Sequence, residues 1–218
     1  MGKQEEQNKY KRITGANDED KIFIVGPGRA GTTFLVKLLT RLGFSTGLYP
    51  YEEDKGDYGD TRAGCEVEIE LPSDLEEAKE KIRQAPFILK GPAFSTELKN
   101  ITDCGLANIV HAFIPVRDLF KTAQSRIDVD LDWIAEEIQP LDRPRIIKQY
   151  YSNAIALGCA IEGCMMREIP FSLMRFPDFV EDMEYCYGVI NKVFPHIKKE
   201  DFEEAFKSIV KSDKIKFK

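Results

Sequence analysis

The chain has 218 residues, of which 43% are hydrophobic and 31% charged, with a formal charge of -6. That length fits one well-covered core with decorations and is short for two full domains. The acidic balance excludes a general nucleic-acid binder, which carries an excess of basic residues, so any anion site must be a local basic pocket.

The first nineteen residues, "MGKQEEQNKYKRITGANDE", hold too few apolar side chains to offset the entropy of ordering and are expected to form a disordered polar tail. They lack the apolar core of a secretory signal, and Met1-Gly2 is not followed by the Ser or Thr that an acylation signal wants. No apolar run reaches the length of about 18 residues that crosses a bilayer, which points to a cytoplasmic protein with no membrane partner.

"IFIV" at 22–25 is a continuous apolar run ending in a glycine turn, as suits a strand buried on both faces. From Thr32 to Leu42 the pattern becomes helical, with Phe34, Leu35, Leu38, Leu39 and Leu42 on one face and Gly43 as the stop. A short strand is expected near Ser45 to Leu48, followed by a long irregular excursion to Leu71 rich in Gly, Asp, Glu and Tyr. "PSDLEEAKEKIRQA" reads as a solvated helix capped by Ser73, with Glu76 completing a capping box.

"PFILK" and "NIVHAFIPVR" are two more buried strands and "PFSLMR" a fifth. Helical patterns cover Asp118 to Ile127, Leu131 to Ile138, Arg145 to about Arg167, Phe179 to Phe194 and Phe202 to Val210. Strands separated by helices imply right-handed crossovers and a three-layer α/β fold, its mainly parallel sheet flanked by helices. In such sheets ligands gather at the carboxyl ends of the strands, where Gly26 to Thr33, Lys90 and Arg117 all fall.

Five cysteines (Cys65, Cys104, Cys159, Cys164, Cys186) make an odd number without a Cys-x-x-Cys pair, and read as reduced and mostly buried. With only His111 and His196 in the chain, no histidine-rich metal centre is expected. His111, inside "NIVHAFIPV", reads as a hydrogen-bonded core residue.

The loop "GPGRAGTT" begins like the phosphate loop of a nucleoside triphosphate enzyme, then departs from it. Such a loop places a lysine after its last glycine to reach the β and γ phosphates, and a following Ser/Thr to bind magnesium. Here Thr32 replaces the lysine, and the cation has moved upstream to Arg29. Backbone N–H groups, the positive end of a helix, two hydroxyls and an arginine describe a site for one phosphate bearing a charged group, with no obligatory metal. In "IPVRDLFKTAQSR", Arg117 ends a strand and Ser125 lies eight residues on, two helical turns later, where both reach toward a second phosphate.

"GPGRAGTTFL" resembles the 5′-phosphosulfate loop of sulfotransferases that use 3′-phosphoadenosine 5′-phosphosulfate (PAPS), in the arginine-containing version of the Golgi and bacterial members. "VRDLFKTAQSR" resembles that family's 3′-phosphate motif, and "PFSLMRFPDFVEDMEYCYGVINKVF" the later strand, acidic turn and core helix. Together these cover the chain from about Lys21 to Phe194. The resemblance implies a P-loop NTPase-like fold, one sulfotransferase-like domain over 20–218, and PAPS as cofactor with adenosine 3′,5′-bisphosphate as product.

It further implies that Arg29 contacts the phosphosulfate, that Gly28, Ala30, Gly31, Thr32, Thr33 and Phe34 complete the 5′ loop, and that Arg117 and Ser125 bind the 3′-phosphate. Lys90 matches a lysine that assists the sulfuryl group. The acceptor would be a small molecule or carbohydrate offering a hydroxyl or amine, and Tyr49, Tyr51, Tyr58 and Trp133 are candidates to line its pocket.

Two departures stand out. Pro92 occupies the position of the histidine base of cytosolic members, so the base is sought among Glu52 and Glu53, with Asp60 and Glu66 on the same stretch. The late basic glycine motif that completes the 3′-phosphate site is absent from "KSDKIKFK". A P-loop kinase or nucleotidase, with Asp118 as a magnesium ligand, and a nucleotide-binding module without catalysis are the alternatives.

Overall fold

The computed structural model describes residues 17–46, 74–128 and 144–212. Glu52, Glu53, Asp60 and Glu66, the aromatic residues Tyr49, Tyr51, Tyr58 and Trp133, the helix expected over Leu131 to Ile138, Ser73 and residues 1–16 of the tail lie outside them.

Among the described residues four parallel strands build the sheet: β1 (Asp20–Ile24), β2 (Ile88–Lys90), β3 (Asn108–Val116) and β4 (Phe171–Arg175), in the order β2-β1-β3-β4. Apolar side chains alternate across β1. Ile22 and Ile24 face a core shared with α1 (Thr32–Arg41), α6 (Asp178–Glu181), α7 (Met183–Val193) and α8 (Lys199–Ser212). Phe23 and Val25 face a second core with α2 (Leu75–Gln84), α3 (Phe94–Asp103) and α5 (Arg145–Met166). The result is the three-layer α/β architecture expected of strands that read as unbroken apolar runs. α4 (Leu119–Ile127) packs on α5.

Lys21 interrupts that pattern yet is buried. Its Nζ donates to the carbonyls of Ala85 at 2.8 Å and Arg83 at 3.3 Å, where a cation complements the negative end of α2.

Several expectations need revision. α2 is capped by Asp74 and not by Ser73: the Asp74 side chain accepts from the backbone N–H groups of Glu76 and Glu77, so the helix starts one residue later and Glu76 falls one position short of closing a capping box. α3 was not anticipated, because Ser95, Thr96, Asn100 and Thr102 are poor helix formers; burial of Phe94, Leu98 and Ile101 on one face secures it instead. The segment expected as a single helix over Phe179 to Phe194 is broken at Asp182, which leaves helical geometry and caps α7 through Tyr185 N–H. Past α1, Ser45 O accepts from Ile88 N–H at 2.9 Å, so the chain runs beside β2, but its described part is not a strand.

Among the described residues no helix is long and apolar enough to cross a membrane. Cys164 and Cys186 are buried, and that burial pushes their thiols up to about 11 and about 12. Cys104 is exposed and Cys159 half-buried, so the expectation of mostly buried cysteines holds for two of the four described. His111 Nε2 lies 3.0 Å from Ser172 Oγ, and burial lowers its pKa to about 4.

Candidate active site

All four strands run the same way, so their carboxyl ends share one edge, and the turns after β1, β2, β3 and β4 meet there. The turn after β1 is the glycine loop. Val25 N–H still pairs with Phe113 O at 3.0 Å; then Gly26 turns at φ 113 and donates its N–H to the buried Ser95 Oγ at 2.8 Å. Arg29 at φ 68 and Gly31 at φ 87 are also left-handed. Backbone hands that change within a few residues tilt successive N–H groups to one side, forming a concavity that suits an oxyanion.

At Gly31 a side chain is excluded twice over. Besides its positive φ, a Cβ there would lie 2.6 Å from Phe179 Cζ and 2.7 Å from Phe176 Cδ2. α1 then begins with no side-chain cap and no acidic residue in its first turn, leaving the positive end of its dipole to the loop. Thr32 is buried, Thr33 partly exposed, and Ala30 and Phe34 buried in support of the turn.

The turn after β3 reaches directly into this loop. Arg117 Nη1 donates to Arg29 O at 3.0 Å, and Arg29 Nε donates to Ser125 Oγ at 3.2 Å. Arg29, Arg117 and Ser125 are thus one cluster, drawn from the two stretches that sequence reasoning had proposed as neighbours. The carbonyl bond helps offset the strain of a non-glycine residue in the left-handed region, of order 1 kcal/mol or more. Arg117 also lies over the Phe176 ring, its guanidinium carbon 5.0 Å from the centroid.

Desolvation, then the adjacent charge of Arg29, pushes the Arg117 guanidinium below its ordinary pKa, while Asp118 opposes the shift. A half-buried guanidinium with the exposed Arg29 close by favours an anion beside it. Asp118 itself caps α4, its Oδ1 accepting from Lys121 N–H at 2.8 Å.

Lys90 ends β2 in register with Ile24 and is only 5% exposed. The β2–α3 turn that follows touches the loop: a Cβ on Gly28 would lie 3.8 Å from Pro92 Cγ and 3.4 Å from Arg126 Nη1. Arg126 is the residue that sequence reasoning passed over. It is 5% exposed, and its Nε donates to Oε1 of the buried Gln149 on α5 at 2.8 Å. The one available signal was its place nine residues after Arg117, on the same helix as Ser125 and one position further round. Among the described residues no group of His, Cys, Asp and Glu is arranged to hold a metal ion.

No protein-family model and no curated protein matches this chain. A solved structure described as a sulfotransferase domain from the curacin biosynthetic pathway is similar over 84% of this chain and 76% of that one, with 10% sequence identity and a TM-score of 0.48. That is a likeness in the outline of the α/β fold, and it says nothing of chemistry.

Proposed function

We propose that the chain transfers a sulfuryl group from PAPS to a hydroxyl or amine of a small-molecule or carbohydrate acceptor, as a cytoplasmic enzyme. The observation that carries this reading is the cluster in which Arg29 of the loop meets Arg117 and Ser125 at the end of β3. One ligand with a phosphate at each end satisfies both: the 5′ end on the loop and the α1 N-terminus, the 3′ end on Arg117 and Ser125.

The residues present suit such a cofactor, since the left-handed turns at Gly26, Arg29 and Gly31 tilt backbone N–H groups to one side, next to the hydrogen-bonded Arg29, Arg117 and Ser125. When bound, PAPS supplies the activated sulfuryl group: the acceptor oxygen or nitrogen bonds to sulfur as the bond from sulfur to the phosphate oxygen breaks, releasing adenosine 3′,5′-bisphosphate. Arg29 presents a planar fork of donors that stabilises charge on the departing oxygen, and Lys90 adds positive charge at the neighbouring strand end. Backbone N–H groups of Gly28 to Phe34 hold the phosphate without reorganising during the reaction. A carboxylate takes the acceptor proton, and Glu52, Glu53 and Glu66 are the residues to test for it.

A kinase needs a lysine after Gly31 and a carboxylate free for magnesium. Thr32 occupies the first position, and Asp118 is engaged in capping α4.

The deciding experiment compares adenosine 3′,5′-bisphosphate, ATP and GTP as stabilisers in thermal unfolding. Stabilisation by the bisphosphate alone is expected; stabilisation by ATP alone overturns the proposal. Sulfate transfer that persists in EDTA supports the metal-free reaction, and loss of activity on chelation favours the kinase.

A further inference from the structure

Phe176, the first residue past β4, touches both halves of the candidate site. One face of its ring underlies Arg117, with the guanidinium carbon 5.0 Å from the centroid. The ring edge abuts the loop at Gly31, where a Cβ would fall 2.7 Å from Cδ2 and 3.1 Å from Cε2. Phe176 is itself fixed from two sides. Its backbone N–H donates to Val116 O at 2.8 Å, and its ring meets that of Phe179 edge to face at 6.0 Å between centroids. The Arg117 Nη1 bond to Arg29 O closes the circuit between the two pockets.

We infer that Phe176 is a positioning residue that couples the two anion pockets, so that a phosphate held by Arg117 and Ser125 raises the affinity of the glycine loop for the other phosphate. This rests on the proposed ligand having two phosphates. An anion on Arg117 fixes the guanidinium over the ring, and the ring sets the left-handed turn at Gly31 from which α1 presents its first N–H groups. Coupling of this kind is reciprocal, so each phosphate strengthens the hold on the other. A residue that only filled space would weaken every ligand by the same factor.

The test uses the full chain and isothermal calorimetry with adenosine 5′-monophosphate and adenosine 3′,5′-bisphosphate, reading the ratio of their Kd values. In the parent protein the second phosphate should improve Kd by roughly 10- to 100-fold, the range of charge-assisted hydrogen bonds. Phe176→Leu should reduce that ratio by roughly threefold to tenfold, the worth of a cation–π contact, and weaken the monophosphate by a smaller factor through the loop that the ring abuts. Phe176→Tyr should restore it.

Should Phe176→Leu fold poorly, pentafluorophenylalanine at position 176 keeps the shape of the ring and removes its negative face, and should lower the ratio likewise. An unchanged ratio, or equal weakening of both ligands, overturns the coupling. A ratio near one in the parent protein overturns the two-phosphate reading on which it depends.

Discussion

Arg29 and Ser125 stand 96 residues apart in the chain and are joined by a hydrogen bond of 3.2 Å from Nε to Oγ. The bond turns the arginine of the first motif toward the serine of the second through Nε, and its two terminal nitrogens stay outside that contact. It also makes the role of Arg29 separable from its fold.

Arg29→Ala should lower turnover by at least ~100-fold, the usual effect of deleting one donor to a developing oxyanion. Arg29→Gly should cost as much activity, yet it leaves the φ of 68 comfortable, so its melting temperature should stay within about 2 °C of the parent. Steady-state sulfate transfer and thermal unfolding of both variants check this; near-parent turnover in either removes Arg29 from the chemistry.

Gly31→Ala should be severe for a different reason. A methyl group at 2.6 Å from Phe179 and 2.7 Å from Phe176 forces two rings to move, and the backbone is already left-handed. Overpacking and φ strain together should cost about 2–4 kcal/mol, or about 5–10 °C in Tm. A melting curve identical to the parent's would show that the rings yield freely.

Gln149→Leu takes an acceptor from the buried Arg126 guanidinium without adding bulk. Loss of about 1–3 kcal/mol in urea unfolding is expected, because a buried charged donor loses a hydrogen bond it cannot regain from water. Since Arg126 borders Gly28, the affinity for adenosine 3′,5′-bisphosphate should fall as well. Unaltered stability and affinity would reduce the pair to a bystander.

Burial lowers the His111 pKa to about 4, below its ordinary value near 6.5. The folded protein therefore resists protonating His111, whereas the unfolded chain accepts the proton. Stability from this source is full above pH 6.5 and declines as pH falls toward 4, by about 1–2 kcal/mol once solvent access to the half-buried ring is allowed for. His111→Gln, which keeps a partner for Ser172, should flatten the difference in unfolding free energy between pH 7 and pH 4.5; parallel curves for parent and variant would contradict it.

The architecture was legible because β1, β2 and β3 are buried on both faces and so appear as apolar runs, and because Gly26, Gly28 and Gly31 mark the turn. The meeting of Arg29 with Arg117 and Ser125 followed from parallel strands sharing one edge. α3 escaped notice because its helicity is imposed by the burial of Phe94, Leu98 and Ile101, a tertiary effect that local propensity opposes. Arg126 escaped because a charged residue on a helix reads as solvated; only the packing of α4 on α5 places its guanidinium between Gln149 and Gly28. The sequence does not single out Phe176, since an aromatic residue at a strand end does not reveal which backbone it abuts.

The three bonds that tie the glycine loop to the strand ends around it each span a long stretch of chain: 69 residues from Gly26 to Ser95, 88 from Arg29 to Arg117 and 96 from Arg29 to Ser125. Loops that long close late, so folding should be slow beside that of a helical bundle of equal size. A polypeptide still emerging from the ribosome, with β4 not yet made, would carry the glycine turn and both arginines but no aromatic ring to seat them. Competence to bind would then arrive only once β4 and Phe176 have been made.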